Sequence, residues 1–271
     1  MPRAKQEERH KEADRVEERS TPPTPVIYEI VRRFGEEEMS RPAVSLWWSG
    51  LAAGLSMSFS LLAEAVLLMH LPDTGWRKLL VSLGYPVGFI MVVLGRQQLF
   101  TENTITVILP VMREPRARNF LRAGRLWAIV LAANLAGTLV AALLCTFTPI
   151  IAPELREAML QISRETVAHE LLPTLLSGVT AGFLMAAMVW LIPAADQAQF
   201  HVVVVMTYLI GIAGAAHIVA GSVETFLLVA NGQLGILEML GRFSLPVLAG
   251  NIIGGTVLFA LLSYAQVMKE L

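Results

Sequence analysis

Gly95-Arg96-Gln97-Gln98-Leu99-Phe100-Thr101-Glu102-Asn103 interrupts an apolar run that extends from 79 to 112. Gly214-Ala215-Ala216-His217-Ile218-Val219-Ala220-Gly221-Ser222 interrupts a second run, from 202 to 230. A membrane-spanning helix needs roughly 20 apolar residues. Each run is too long for one such helix and too short for two joined by a turn. One span broken near 95–104 and another broken near 214–222 fit both lengths. The bilayer interior offers no water to unpaired N–H and C=O groups, so irregular backbone persists there only where protein or a cavity covers it. The two interruptions are therefore expected near the centre of the fold.

Working outward, four further apolar runs cover 44–69, 126–152, 171–195 and 243–266. The expectation is an all-α membrane protein of six transmembrane helices, with helices 2 and 5 broken. Composition agrees: 55% of residues are hydrophobic and 16% charged, with a mean hydropathy of +0.59, where a soluble domain carries about 25% charged residues. The charges concentrate at the start, residues 1–45 holding 9 Lys and Arg and 10 Asp and Glu. A charged, partly disordered cytoplasmic tail is expected over 1–43 and a transport domain over 44–268. Within the tail, residues 3–19 carry both signs densely, and Pro22, Pro23 and Pro25 are expected to break any helix. Residues 27–40 are expected to form a short helix, lying amphipathically on the membrane or solvated by its charges.

Other classes are excluded. A net charge of −1 gives no basic field for nucleic acid. The single cysteine, Cys145, allows neither an internal disulfide nor a cysteine metal site, and no cofactor is implied. Residues 1–25 are charged and hold no apolar signal region, so insertion from the cytoplasmic side is expected. The basic residues set the orientation. With the N-terminus inside, cytoplasmic segments collect 15 of the 21 Lys and Arg, outer loops collect 5, and Arg96 lies within a span. Both termini are thus expected to be cytoplasmic.

The chain also repeats. Ser49-Gly50-Leu51-Ala52-Ala53-Gly54 in the first run matches Ser177-Gly178-Val179-Thr180-Ala181-Gly182 in the fourth. Asn134-Leu135-Ala136-Gly137-Thr138 in the third matches Asn251-Ile252-Ile253-Gly254-Gly255-Thr256 in the sixth. Three spans followed by three more lie in opposite orientations, giving inverted repeats over 44–152 and 171–268. Paired broken helices in inverted repeats point to a transport path near the midplane. The plain alternative, close helix packing through small residues, is compatible with it.

At these motifs the sequence resembles the formate/nitrite transporter family. Leu99-Phe100-Thr101-Glu102-Asn103 is similar to the family's Leu-Phe-Thr-(Gly/Ser)-Asn loop, and His217-Ile218-Val219-Ala220-Gly221 to its His-x-(Val/Ile)-Ala-Asn break. Asn134-x-x-Gly137 and Gly250-Asn251-Ile252-Ile253-Gly254-Gly255 complete the set, in order, over about 45–268. The resemblance implies an aquaporin-like fold in the cell's inner (plasma) membrane and a homopentamer with one pore per protomer. It also implies passage of a small monovalent anion such as formate, nitrite or hydrosulfide, with a proton as partner. By position, Tyr85, Phe89 and Ile210 would form an outer apolar constriction and Leu99 and Phe100 an inner one. Thr101 and His217 would line the chamber between, and Glu102 and Asn103 would follow on the path. Glu102 stands where the family has a small residue, Ala216 where it is often acidic or polar, and Arg164 is the nearest counterpart of its basic residue by the fourth span.

The side chains supply a chemistry. His217 is the one histidine deep in a run, and an imidazole there can give or take a proton near neutrality. The alternative is a histidine hydrogen-bonded in helix packing. Glu102 and Glu224 fall near the starts of the second halves of the broken helices. They are expected either to cap freed N–H groups or, for Glu102, to select substrate or relay protons, with Arg96 as a possible ion-pair partner. Glu64 is expected at the interface, and Trp47, Trp48, Trp76 and Trp127 in an aromatic belt. A membrane-embedded enzyme using His217 and Ser222 lacks any Gly-x-Ser-x-Gly or His-Glu-x-x-His motif, and a water channel would carry Asn-Pro-Ala loops. A membrane scaffold or sensor with an impaired pore is the remaining alternative.

Overall fold

The computed structural model describes residues 22–270, and these are arranged in helices. The dense charge at 3–19 lies outside the described residues. Helix α1 is Thr24–Ser40, followed by α2, Ala43–His70, and α3, Arg77–Leu94. Two short helices, α4 (Phe100–Thr106) and α5 (Ile108–Arg113), lead to α6, Ala117–Phe147. Then come α7 (Pro153–Thr166), α8 (Leu171–Ala194), α9 (Asp196–Ala213), α10 (Ile218–Ala230) and α11 (Ile236–Val267). Six of these, α2, α3, α6, α8, α9 and α11, are long and apolar enough to cross a membrane. Their outward faces carry apolar side chains such as Phe59, Leu143, Leu176, Val205 and Leu262, a surface suited to hydrocarbon.

Helical geometry stops after Leu94 and resumes at Phe100, and it stops after Ala213 and resumes at Ile218. The non-helical pieces are thus shorter than expected: Thr101, Glu102 and Asn103 already sit in the first turn of α4, and 218–222 in the first turns of α10. Both helices end the same way. Arg96 and Gly214 adopt left-handed backbone (φ 49° and 62°). The next N–H, of Gln97 or Ala215, returns to the carbonyl of Val92 or Ile210 at 2.9 and 3.0 Å, which is a Schellman closure.

Both second halves also start the same way. The Asn134 side-chain oxygen accepts the Phe100 N–H (2.9 Å), while its amide nitrogen donates to the carbonyls of Gly50 (2.8 Å) and Gln98 (2.9 Å). Asn251 accepts the Ile218 N–H (2.9 Å) and donates to Gly178 (2.8 Å) and Ala216 (2.9 Å). Glycine contacts bring each asparagine into reach. A Cβ on Gly54 would lie 2.2 Å from the Asn134 carbonyl oxygen, and one on Gly182 would lie 2.3 Å from that of Asn251.

Several elements depart from expectation. Pro25 sits in the first turn of α1 and does not break it, because the N–H a proline lacks is unpaired there anyway. Helix α1 packs one face on the rest of the protein. It buries Tyr28, Val31, Gly35 and Met39 against the spans, so closely that a Cβ on Gly35 would collide with the Thr106 carbonyl. Helix α6 begins nine residues before its apolar run, with Arg118 and Arg125 exposed on its first turns. At about 1.5 Å per residue it outreaches a roughly 30 Å hydrocarbon layer. The α7 helix, unforeseen, fills the segment between the third and fourth spans and buries Ala158, Met159, Leu160 and Ser163.

Glu38, near the end of α1, accepts hydrogen bonds from Gln98 (3.1 Å), Asn103 (3.2 Å) and Thr106 (2.5 Å). Burial pushes its carboxyl above the usual carboxylate range, against the pull of those donors. The docked helix therefore holds a proton that the released helix gives up. Docking is strongest at acid pH and weakens as pH rises through the raised value. Proteolysis within 40–42 is expected to quicken as pH rises above the usual carboxylate range, and Glu38→Gln is expected to remove that dependence. Asn134→Ala and Asn251→Ala are each expected to cost about 3 kcal/mol or more, because three buried backbone groups lose their partner. Thermal unfolding in detergent measures both.

Candidate functional site

The two interruptions meet at a pair of side chains. His217 precedes α10 in extended backbone (φ −109°, ψ 126°), and its Nδ1 accepts the Ala220 N–H at 3.1 Å. A backbone N–H only donates, so the neutral ring carries its hydrogen on Nε2. Nε2 lies 2.7 Å from the Thr101 hydroxyl oxygen and donates to it. Both ring nitrogens are thus engaged, and protonating Nδ1 would break the cap on α10. The Thr101 hydroxyl keeps its own hydrogen, which has no protein acceptor among the described residues. Neither residue reaches solvent, His217 being 1% exposed and Thr101 fully buried.

Apolar side chains close around this pair. Phe89 meets the imidazole edge-on at 5.0 Å between ring centroids, and Tyr85 stacks on Phe89 at 5.3 Å. Leu99, Phe100 and Ile210 belong to the same buried cluster as Tyr85 and Phe89. Phe243, not anticipated, lies over Gly221, where a Cβ would fall 2.2 Å from its ring. It comes from α11, far along the chain, and only the glycine hinted at a close neighbour.

A cavity of about 410 Å³ leads to the site from one side. Asp73, Arg77 and Lys78 stand at its rim, and Tyr85, Ile210 and His217 line its inner end. Arg77 is engaged by Asp73 (3.7 Å) and by the Leu68 carbonyl. The wall between holds Glu64 and Glu224, both only 7% exposed.

Several acidic and aromatic residues are placed otherwise than expected. Neither Glu102 nor Glu224 caps a helix, because Asn134, Asn251 and His217 already do so. Glu102 makes no ion pair with Arg96, and one of its carboxylate oxygens is buried without a partner. Arg96 is exposed, committed to the left-handed turn. Asn103 faces α1 through Glu38 and Gln98 and leaves its own side-chain oxygen unpaired. Glu224 instead accepts a short hydrogen bond from Thr166 of α7. Arg164 pairs with Glu157 and Gln233, both at 2.9 Å, and is absent from the cavity wall. Glu64 is buried within the protein, 7% exposed. Trp127 is no belt residue: it donates to the Asn103 carbonyl at 3.0 Å and packs edge-on against Phe100.

Comparison with known proteins agrees with the fold. The family model for the formate/nitrite transporters matches residues 25–265. The chain is 42% identical to the inner membrane protein YfdC of Escherichia coli (strain K12), over 99% of this chain and 86% of that protein. Among solved structures it resembles a pentameric formate channel with formate bound (TM-score 0.68, 19% identity, 83% of this chain and 98% of that one). It also resembles an ion channel of the same family (TM-score 0.72, 19% identity, 90% and 98%). The chain belongs to the formate/nitrite transporter family.

Proposed function

We propose that the protein is a channel or proton-linked transporter for small monovalent weak-acid anions of the formate, nitrite or hydrosulfide type. The path runs through each protomer of a homopentamer. The observation that carries this reading is the 2.7 Å contact between Thr101 and His217, enclosed by apolar rings at the point where the two helix interruptions meet. Family membership supports transport over catalysis, and the pentameric formate channel among the structural relatives supports the assembly. The matched closures at Arg96 and Gly214, and the matched asparagines, support two inverted three-helix repeats, 44–152 and 171–268, in an aquaporin-like arrangement. The bias of basic residues supports cytoplasmic termini.

Energetics favour a weak acid. A bare anion in a dry apolar constriction costs tens of kcal/mol by an idealised estimate. Protonating an acid of pKa near 4 at pH 7 costs roughly 4 kcal/mol. The cargo crosses the rings as the neutral acid, and Thr101, backed by His217, donates a hydrogen bond to it midway. Tyr85, Phe89 and Ile210 exclude water on one side, and Leu99 and Phe100 on the other. Glu102 and Asn103 follow Thr101 on the path toward α1, where their unpaired oxygens accept from the departing acid.

Flux of formate, nitrite, hydrosulfide and acetate into proteoliposomes at two pH values tests this. Transport of the smaller acids is expected, faster at the lower pH. Absence of flux for all four would instead favour a scaffold or sensor. His217→Phe is expected to abolish flux. His217→Asn keeps an oxygen able to cap the Ala220 N–H, but its shorter amide does not reach Thr101 as Nε2 does, so a pore that conducts about tenfold or more slowly is expected.

A further inference from the structure

Resting on the weak-acid reading, we propose that Glu64 is the group that hands the proton to the incoming anion, in the cavity ahead of the apolar rings. The crossing demands a neutral acid, yet in water at pH 7 only about one molecule in a thousand of an acid with pKa near 4 carries its proton. A donor on the path therefore decides the rate. His217 is poorly placed to be that donor: Nδ1 caps α10, Nε2 is committed to Thr101, and giving up the Nε2 proton would leave the ring anionic. Glu224 is bound to Thr166. Glu64 lines the same cavity, is 7% exposed, and makes no hydrogen bond or ion pair with any described residue. It holds or releases a proton without breaking anything in the protein.

The surroundings fit that task. On the α3 side Glu64 shares the cavity with Asp73, Arg77, Lys78 and Tyr85. From α7 and the turn after it come Glu165 and His169, and from the second interruption Glu224 and His217. Arg77 is engaged, whereas Lys78 makes no ion pair among the described residues, and its ammonium lies 3.9 Å from where a Cβ on Gly214 would stand. Lys78 at the rim thus attracts the anion, and Glu64 meets it further in. The O–H bond of the Glu64 carboxyl breaks as an O–H bond forms on the anion, leaving the Glu64 carboxylate and a neutral acid. The neutral acid moves on past Tyr85 and Phe89, and water entering the open rim returns a proton to Glu64. Once beyond the rings the acid releases its proton to water on the far side, so one proton crosses with each anion.

Glu64→Gln tests the proposal through formate flux in proteoliposomes across external pH. At pH 7 the variant is expected to be on the order of 10- to 100-fold slower than the wild type. The difference is expected to shrink toward about pH 4 and vanish below it, where an acid with pKa near 4 arrives mostly protonated. Glu64→Asp is expected to restore much of the rate at pH 7. An equal slowing at every pH would assign Glu64 a structural part and overturn the proposal, as would unchanged or increased flux. Infrared spectroscopy of the wild type supplies a readout that needs neither transport nor a folded Gln variant. A carboxyl band that answers a step in pH on the rim side, and shifts in Glu64→Asp, is expected. Its failure to respond would overturn the role of Glu64 while leaving transport intact. A wild type that passes no weak acid would remove the transport reading while this band still reported access of protons to Glu64.

Discussion

A helix interrupted inside a membrane exposes backbone groups that nothing but protein can satisfy, and this structure meets that requirement with two asparagines. A primary amide offers one acceptor and two donor hydrogens. Each interruption presents one N–H at the start of the second half and one carbonyl in the linker, and the neighbouring span adds a second carbonyl. Asn134 and Asn251 match that set group for group. The glycines on α2 and α8 follow from this need, because the amide reaches the interruption only if the helices touch backbone to backbone. So does the site itself. His217 and Thr101 face each other because the residues beside them, Ile218 and Phe100, are pinned to equivalent side chains.

Much of this was legible in the sequence because it is written in small residues and in the lengths of apolar runs. Two runs of the wrong length located the interruptions, and paired Gly and Asn motifs indicated which helices meet. The residues that misled did so for a common reason: a charge read in one dimension does not reveal which neighbours a remote helix supplies. Glu224 looked like a cap until α7 placed Thr166 beside it. Glu64 looked interfacial because it stands six residues from the end of α2, yet the inward course of α3 and α7 buries it. Helix α1 looked solvated because charge outweighs its narrow apolar stripe of Tyr28, Val31 and Met39. Nothing local in the sequence announces that Glu38 meets Gln98, Asn103 and Thr106.

Charge is distributed along the path with a clear asymmetry. Arg77 and Lys78 stand at the cavity rim and carboxyl groups line its depth. Beyond the rings, the side chains of Glu38, Gln98, Glu102 and Asn103 offer mostly acceptor oxygens. On the proposed reading, such a sequence draws an anion to the entrance and discourages it from proceeding as an anion. It also ties the far end of the proposed path to α1, whose Glu38 carboxyl holds the side chains of both Gln98 and Asn103.

The glycine contacts carry a mechanical consequence. Positions 54, 137, 182, 250 and 254 each leave under 2.5 Å between an imagined Cβ and a facing backbone atom. Helices meshed that tightly behave as gears without backlash: they cannot slide or roll past one another without collision. On the proposed transport reading, control of conductance falls to light parts, the rotation of a ring such as Phe89 or Phe100, or the departure of α1. Such movements are fast and local, and they leave the frame of spans unchanged between closed and conducting forms.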